Sequence, residues 1–374
     1  MSAFARTDRS LIGQWWWTID RWILIALVII TAIGAIMSLA ASPAVAERIG
    51  LDTFYFAKRQ FVFLSLSLAV MFATSLLSHR GVRRLGMVVF VLSIILMIAV
   101  LIFGSEIKGA TRWLQLGVFS LQPSEFVKPG FVVIAAWFFA RRRLEEEFPG
   151  YAAATILMFL VVGLLLMQPD VGMSVVVAAV WAVQFFLAGL PLMLVGVIAL
   201  GFMGVGVGAY FMFDHVQARI DRFLDPGIGA SYQVMRSLQA FRNGGLFGRG
   251  PGEGRVKEVL PDAHADFIFA VVGEEFGLIM TLILVALFAF VVLRGFSRAL
   301  KAGDLFVLLA AGGLLAQFGF QVLINMASTV NLMPPKGMTL PFISYGGSSA
   351  LALAVGTGMI LALTREQPGD GGAP

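Results

Sequence analysis

An all-α, polytopic membrane protein is the fold class that this sequence of 374 residues predicts. Three observations carry that expectation. Hydrophobic residues make up 59% of the chain and the mean hydropathy is +0.90, where a soluble domain holds about 45–50% apolar residues. Charged residues are only 13%, and they fall in blocks between long apolar runs. Those runs approach the ~20 apolar residues that a helix needs to cross a bilayer.

Ten such windows follow one another, at 21–43, 61–79, 85–103, 123–140, 151–168, 171–188, 191–213, 267–293, 304–327 and 341–363. The fourth and the eighth open on polar residues, so their starts are the least defined. Ahead of them, residues 1–20 hold Arg6, Arg9 and Trp15-Trp16-Trp17 without a short apolar core and cleavage site. That pattern reads as a cytoplasmic segment with an interfacial aromatic belt, not a removable signal peptide.

Orientation follows from the short connections. Arg80, Arg83 and Arg84, then Arg141-Arg142-Arg143, then Arg294, Arg298 and Lys301, and lastly Arg365 fall on one side. Lys and Arg mark the cytoplasmic face, so both termini are expected there. Residues 21–365 then form one membrane domain, and the polar, Gly/Pro-rich 366–374 a disordered cytoplasmic tail.

The long connection 214–266 falls on the outer side. It is too long for a structureless loop in a compact domain. Its Phe, Leu, Tyr and Met recur every few residues, which predicts short amphipathic helices lying on the membrane.

Several function classes drop out. With no cysteine there are no disulfides and no thiolate metal sites. His79, His215 and His264 stand far apart and show no metal-ligand spacing. The net charge of +5 and pI near 9.7 are accounted for by cytoplasmic loops, and nothing points to nucleic acid.

Three outer segments concentrate polarity. The first runs from Lys108, Arg112 and Trp113 to Gln122-Pro123-Ser124-Glu125 and Lys128. Pro123 suits the first turn of a helix, with Gln122 or Ser124 as its cap. Glu125 and Lys128 then face each other at i, i+3, either as an internal ion pair or as a substrate-facing one.

The second is Pro261 to Glu275, with Asp262, His264, Asp266, Glu274 and Glu275 within fifteen residues. Ionisable groups are rare at a membrane boundary and usually functional. Sugar transfer from a lipid pyrophosphate needs a carboxylate as general base, and cations aimed at the leaving pyrophosphate. Asp266 beside an Arg-rich outer loop supplies both. Its competing role is N-cap of the eighth span. Asp262 and His264 read as loop-shaping residues, and Glu274-Glu275 as a deeper structural pair. The third segment, 325–349, breaks helical structure with Pro and Gly, and holds Lys336 as a candidate phosphate ligand. Irregular backbone at that depth must be buried in protein or line a wet cavity.

At these segments the chain resembles the SEDS (shape, elongation, division and sporulation) family of bacterial cell-wall glycosyltransferases, from about residue 50 to 365. The matching pieces are Arg112-Trp113, Gln122 to Lys128, Gln168-Pro169-Asp170, Ser231-Tyr232-Gln233, Pro261 to Glu275 and Pro341 to Ser349. The stretch Leu332 to Phe342, with Lys336-Gly337, is more similar to the division branch than to the elongation branch. Ala265 departs from the family pattern, where Thr or Ser commonly precedes the aspartate.

The resemblance implies an enzyme of the bacterial inner membrane, at the division septum, that polymerises lipid II into peptidoglycan strands. It would work beside a class B penicillin-binding protein and other division-complex membrane proteins. Asp266 matches the family's essential aspartate. Substrate contacts are then expected from Lys108, Arg112, Trp113, Gln122, Ser124, Glu125, Lys128, Tyr232, Gln233, His264, Lys336, Ser344 and Tyr345. A divalent cation, Mg or Mn, is the one cofactor the chemistry leaves room for. A lipid II flippase is the alternative, since ten spans with intramembrane Glu and Lys suit transport too.

Overall fold

Side-chain caps and one proline set where six of the helices begin. The computed structural model describes residues 10–107, 110–117, 119–189, 192–212, 217, 221, 232–334 and 337–366. Ser10 caps α1 (Leu11–Thr18), Asp20 caps α2 (Arg21–Arg48), and α3 (Tyr55–Ser75) is followed by α4 (His79–Phe103), capped by Ser78. Pro123 opens α5 (Pro123–Leu144) at its first position, as its fixed φ favours. Next come α6 (Gly150–Met167), α7 (Val171–Leu187) capped by Asp170, and α8 (Leu192–Met212). The chain closes with α9 (Tyr232–Gly244), α10 (Val256–Val259), α11 (Ile268–Ala299), α12 (Leu305–Thr329) capped by Asp304, and α13 (Gly347–Leu363).

Among the described residues six helices are long and apolar enough to cross a membrane: α2, α3, α4, α6, α11 and α12. Two shorter apolar helices, α7 and α13, and the helices α5 and α8 occupy the other predicted windows. The apolar window of α12 is 72% buried, against 28% for α3, α4, α6 and α11. That difference makes α12 the central post, packed on α5, α7 and α11, with the others turning a face to lipid.

The structure adds one element that the all-α expectation omits. Between α4 and α5 lies an antiparallel sheet of β1 (Ser105–Ile107), β2 (Ala110–Leu116) and β3 (Phe119–Leu121), in that order. Thr111 and Trp113 are pleat-favouring residues, but β1 and β3, of three residues each, are too short for a period-2 pattern to stand out. The tenth window is also corrected. Pro341 to Gly346 is a turn, and α13 starts at Gly347.

The connection 214–266 contains short helices among its described residues, but they pack on protein. One face of α9 buries Val234, Ser237, Ala240 and Gly244, and Ser237 Oγ donates to Thr329 O at 2.6 Å. A Cβ on Gly244 would collide with the carbonyl of Gly273 in α11. Gly244→Ala is therefore expected to destabilise the protein by about 1–3 kcal/mol, the usual cost of overpacking. Thermal unfolding in detergent measures it, and an unchanged midpoint would contradict the contact.

The eighth window is not a continuous helix. Gly277 sits at φ +75° and ψ −173° inside α11, a conformation open in practice to glycine alone. The glycine-rich stretch after α9 pairs the broken ends. Arg249 and Gly250 N–H donate to Glu274 and Glu275 O, both at 3.0 Å, and Leu278 and Ile279 N–H donate to Gly245 and Leu246 O at 2.9 and 3.2 Å. These four bonds satisfy backbone groups that lipid could not. Residues 268–275 are all buried, whereas Leu278, Ile279, Leu282, Ile283 and Leu293 are exposed. At 1.5 Å per residue, 278–299 reaches about 33 Å, enough to cross the hydrocarbon core. Glu274 and Glu275 thus lie before the lipid-facing part of α11, not within it.

At the opposite end an ionic knot ties three elements together. Arg294 and Arg298 Nε each reach Asp20 at 2.8 Å, and Arg298 NH1 reaches Glu366 at 2.7 Å. Burial pushes the Asp20 carboxyl up, but hydrogen bonds from Arg294, Arg298 and the Ile23 N–H outweigh it and hold the group below its ordinary value. A lowered carboxylate stabilises the fold fully above its unfolded pKa of about 3.9 and loses that contribution as pH falls through the folded value. Melting midpoints should hold from neutral pH to about 4 and drop below it, with Asp20→Asn lacking this part of the drop.

Candidate active site

Asp266 lies in a run of turns, 261–267, that leads into α11. The N-cap of α11 is Phe267, which makes no side-chain cap. The capping role that competed for Asp266 is therefore not the one it fills. Asp262 adopts φ +54° at the head of the turn and accepts from the Ala265 and Phe267 N–H groups at 3.0 and 3.3 Å, as a loop-shaping residue should. The Asp266 side chain is half-buried. Its Oδ2 lies 3.5 Å from the point where a Cβ on Gly337 would stand, so the carboxylate faces bare backbone.

The same turn is held from the connection between α12 and α13. Tyr345 N–H donates to His264 O at 2.9 Å, Ser344 Oγ donates to Ala265 O at 2.6 Å, and Asn325 Nδ2 donates to Asp266 O at 2.9 Å. The His264 ring packs on Phe56 at 4.5 Å and near Tyr345 at 5.3 Å. Gln60 of α3 supports this corner by donating to Ser344 O at 3.1 Å.

Behind it stands a buried ion pair. Lys128 Nζ lies 2.8 Å from Glu125 Oε2, with side chains 2% and 6% exposed, and it also donates to Gln321 Oε1 at 3.1 Å. Gln321 Nε2 donates to Thr339 O at 3.1 Å, and the Thr339 and Ser349 hydroxyls meet at 2.6 Å. This geometry is that of an internal pair built into the wall. Arg112 on β2 completes the wall, donating to Gln168 O at 3.0 Å and to Pro169 O, with Asp170 Oδ2 at 3.5 Å. Asp170 in turn feels the charges of Glu125 and Lys128.

The predicted residues thus separate into groups. His264, Asp266, Ser344 and Tyr345 share one corner. Glu125, Lys128 and Arg112 form the adjoining wall, with Trp113 half-buried on the same strand as Arg112. Gln122 N–H donates to Ser348 Oγ at 3.1 Å and its Nε2 to Ser124 Oγ at 3.1 Å, which ties the start of α5 to α13. Tyr232 lies along α9 in a separate open pocket of about 580 Å³, lined also by Met235, Arg236, Leu238, Gln239 and Arg242. Among the described residues no hydrogen bond or ion pair links Tyr232 or Gln233 to the Asp266 corner. Lys108 and Lys336 lie outside the described residues.

One loop cation is taken out of play for substrate. Lys257 Nζ pairs with Glu275 Oε1 at 2.6 Å and donates to Ala40 O and Gly252 O. Glu274 accepts from the Arg255 and Val256 N–H groups. The two glutamates therefore pin the loop to α11. Gln321 and Asn325 are site residues that the sequence reading did not single out. Their signal is a series of amides, Gln317, Gln321 and Asn325, spaced one helical turn apart along a largely apolar helix. Among the described residues no three His, Asp or Glu side chains gather around one point.

A model of the cell cycle protein family that takes in FtsW, RodA and SpoVE matches residues 20–368. A probable peptidoglycan glycosyltransferase FtsW of Caulobacter vibrioides is 48% identical over 373 residues, covering 99% of this chain and 95% of its own. The protein of the same description from Coxiella burnetii is 35% identical over 362 residues, covering 94% and 97%. A chain of a peptidoglycan synthase complex, solved for the structural coordination of polymerization and crosslinking, is 30% identical with a TM-score of 0.75, covering 92% of this chain and 97% of its own. The rod shape determining protein RodA of Thermus thermophilus is 29% identical with a TM-score of 0.70, covering 93% and 97%.

Proposed function

The chain belongs to the FtsW, RodA and SpoVE family of cell cycle proteins, and from that premise we propose that it is a peptidoglycan glycosyltransferase that polymerises lipid II at the division septum. The reading places it in the bacterial inner membrane with ten spans, both termini in the cytoplasm and Asp266 on the outer side. Its partner would be a class B penicillin-binding protein within the division complex.

The observation that carries the reading is the half-buried Asp266 carboxylate on a backbone-anchored turn, facing Gly337. The acceptor's GlcNAc 4-hydroxyl gives its proton to Asp266 as its oxygen attacks C1 of the donor MurNAc. The bond from C1 to the pyrophosphate breaks with inversion, and undecaprenyl pyrophosphate leaves with the electron pair. The proton stays on Asp266 until it passes to solvent. Arg112 and Lys336 are assigned to the leaving charge. Glu125 and Lys128 hold the wall from behind, while His264, Ser344, Tyr345, Trp113, Gln122 and Ser124 frame the sugars. Tyr232 and Gln233 are assigned to the outer rim. No step is routed through a metal ion.

The test is polymerisation of lipid II in detergent by the purified protein with its partner. Glycan strands on a denaturing gel support the transferase. No polymer from a folded, partner-bound sample, with lipid II transport in vesicles instead, would favour the flippase.

A further inference from the structure

Three successive carbonyls of the Asp266 turn, those of His264, Ala265 and Asp266, are each taken by a donor from the α12–α13 region. Two of these donors come from the Ser344-Tyr345 turn. The third is a side chain from inside α12, Asn325, which is 1% exposed. Its Nδ2 gives one hydrogen to Asp266 O at 2.9 Å and one to Met338 O at 2.6 Å. Turning the amide over would set its oxygen against two carbonyl oxygens, so its orientation is fixed by its neighbours.

The whole amide is enclosed in the core, with Oδ1 buried as well. One turn earlier on the same helix, Gln321 holds Lys128 and Thr339. A single face of α12 therefore fixes both the Asp266 turn and the buried ion pair against the segment 338–339.

We propose that Asn325 is a positioning residue for glycosyl transfer, acting through Asp266 and not on the substrate. It sets where the carboxylate stands relative to Gly337 and the wall, as a supporting shell must for a base that works within a hydrogen bond's reach. This inference rests on the assignment of Asp266 as the base.

The test compares Asn325→Ala, Asn325→Leu and Asp266→Asn, each purified with the class B penicillin-binding protein and assayed on lipid II across a pH series. Asn325→Ala should lower kcat by about 100-fold, the scale of an ångström's misplacement. Its KM for lipid II should stay within about threefold, because no ground-state contact is lost. The ascending limb of the pH profile should move with the displaced carboxylate. Adding Ser344→Ala should cost less than the product of the two single losses, since both side chains hold one turn. Ser328→Ala, whose hydroxyl donates to Asn325 O at 2.9 Å, should keep the native kcat and so controls for packing. Asn325→Leu keeps most of the volume and removes the donation without adding a charge, and carries the same expectation if the alanine variant does not fold.

A folded Asn325 variant with native kcat and pH profile, or with only a raised KM, overturns the proposal. Full activity in Asp266→Asn overturns the assignment of the base, and this inference with it.

Discussion

Asp266→Asn is expected to lower lipid II polymerisation by about 10²–10⁴-fold, the range that a positioned general base contributes, while leaving the fold intact. The two halves of that statement have separate grounds. Asp266 is half-buried, and the helix that follows is capped at Phe267 without a side-chain bond, so the substitution removes no helix cap. The bond from Asn325 goes to the main-chain carbonyl of Asp266, which the substitution preserves. What disappears is the carboxylate's capacity to take up a proton. Glycan strands from lipid II, read on a gel for wild type and variant with the partner present, measure the first half. Melting midpoints measure the second. Polymerisation at the wild-type rate would refute the role given to Asp266.

How much of this was legible beforehand depends on how local each determinant is. Apolar windows announce membrane helices because ~20 consecutive side chains must agree, and a helix lies at each of the ten. The break at Gly277 gives no such sign. Glu-Glu-Phe-Gly-Leu sits inside an apolar run, and the helix opens there because Gly245, Leu246, Arg249 and Gly250 supply backbone partners from some 30 residues earlier. The strands are similarly hidden, since three-residue β1 and β3 are shorter than any periodicity can reveal.

The site divides in the same way. Glu125 and Lys128 are legible as an i, i+3 pair because both sit on one helix, and the structure joins them at 2.8 Å. Lys257 is misleading in sequence. Its charge suggests a cation for substrate, but its partner Glu275 lies 18 residues on and behind a turn. Asn325 was visible as a residue and silent as a role, because its partners are main-chain carbonyls of two other segments. Main-chain acceptors leave no trace in residue identity. The anchoring of Asp266 therefore had to be seen in three dimensions.

The buried pair carries the second large effect. Lys128→Met is expected to cost about 3–5 kcal/mol of stability, because it leaves the Glu125 carboxylate buried without its countercharge. Glu125 is 4% exposed, so water cannot repair the loss. Removing both partners is different in kind. In Glu125→Leu with Lys128→Met neither partner is left without the other, and a buried pair replaced by apolar groups of similar volume is often neutral in stability. The double variant should therefore melt within a few degrees of wild type, well above the single one. Its polymerisation should stay low, because Gln321 loses the Lys128 contact that holds it while it reaches Thr339. Chemical unfolding of the three proteins in detergent decides the matter. A single variant as stable as wild type would mean that Glu125 is neutral or hydrated in the native state, and that the wall is open to water where its geometry is closed.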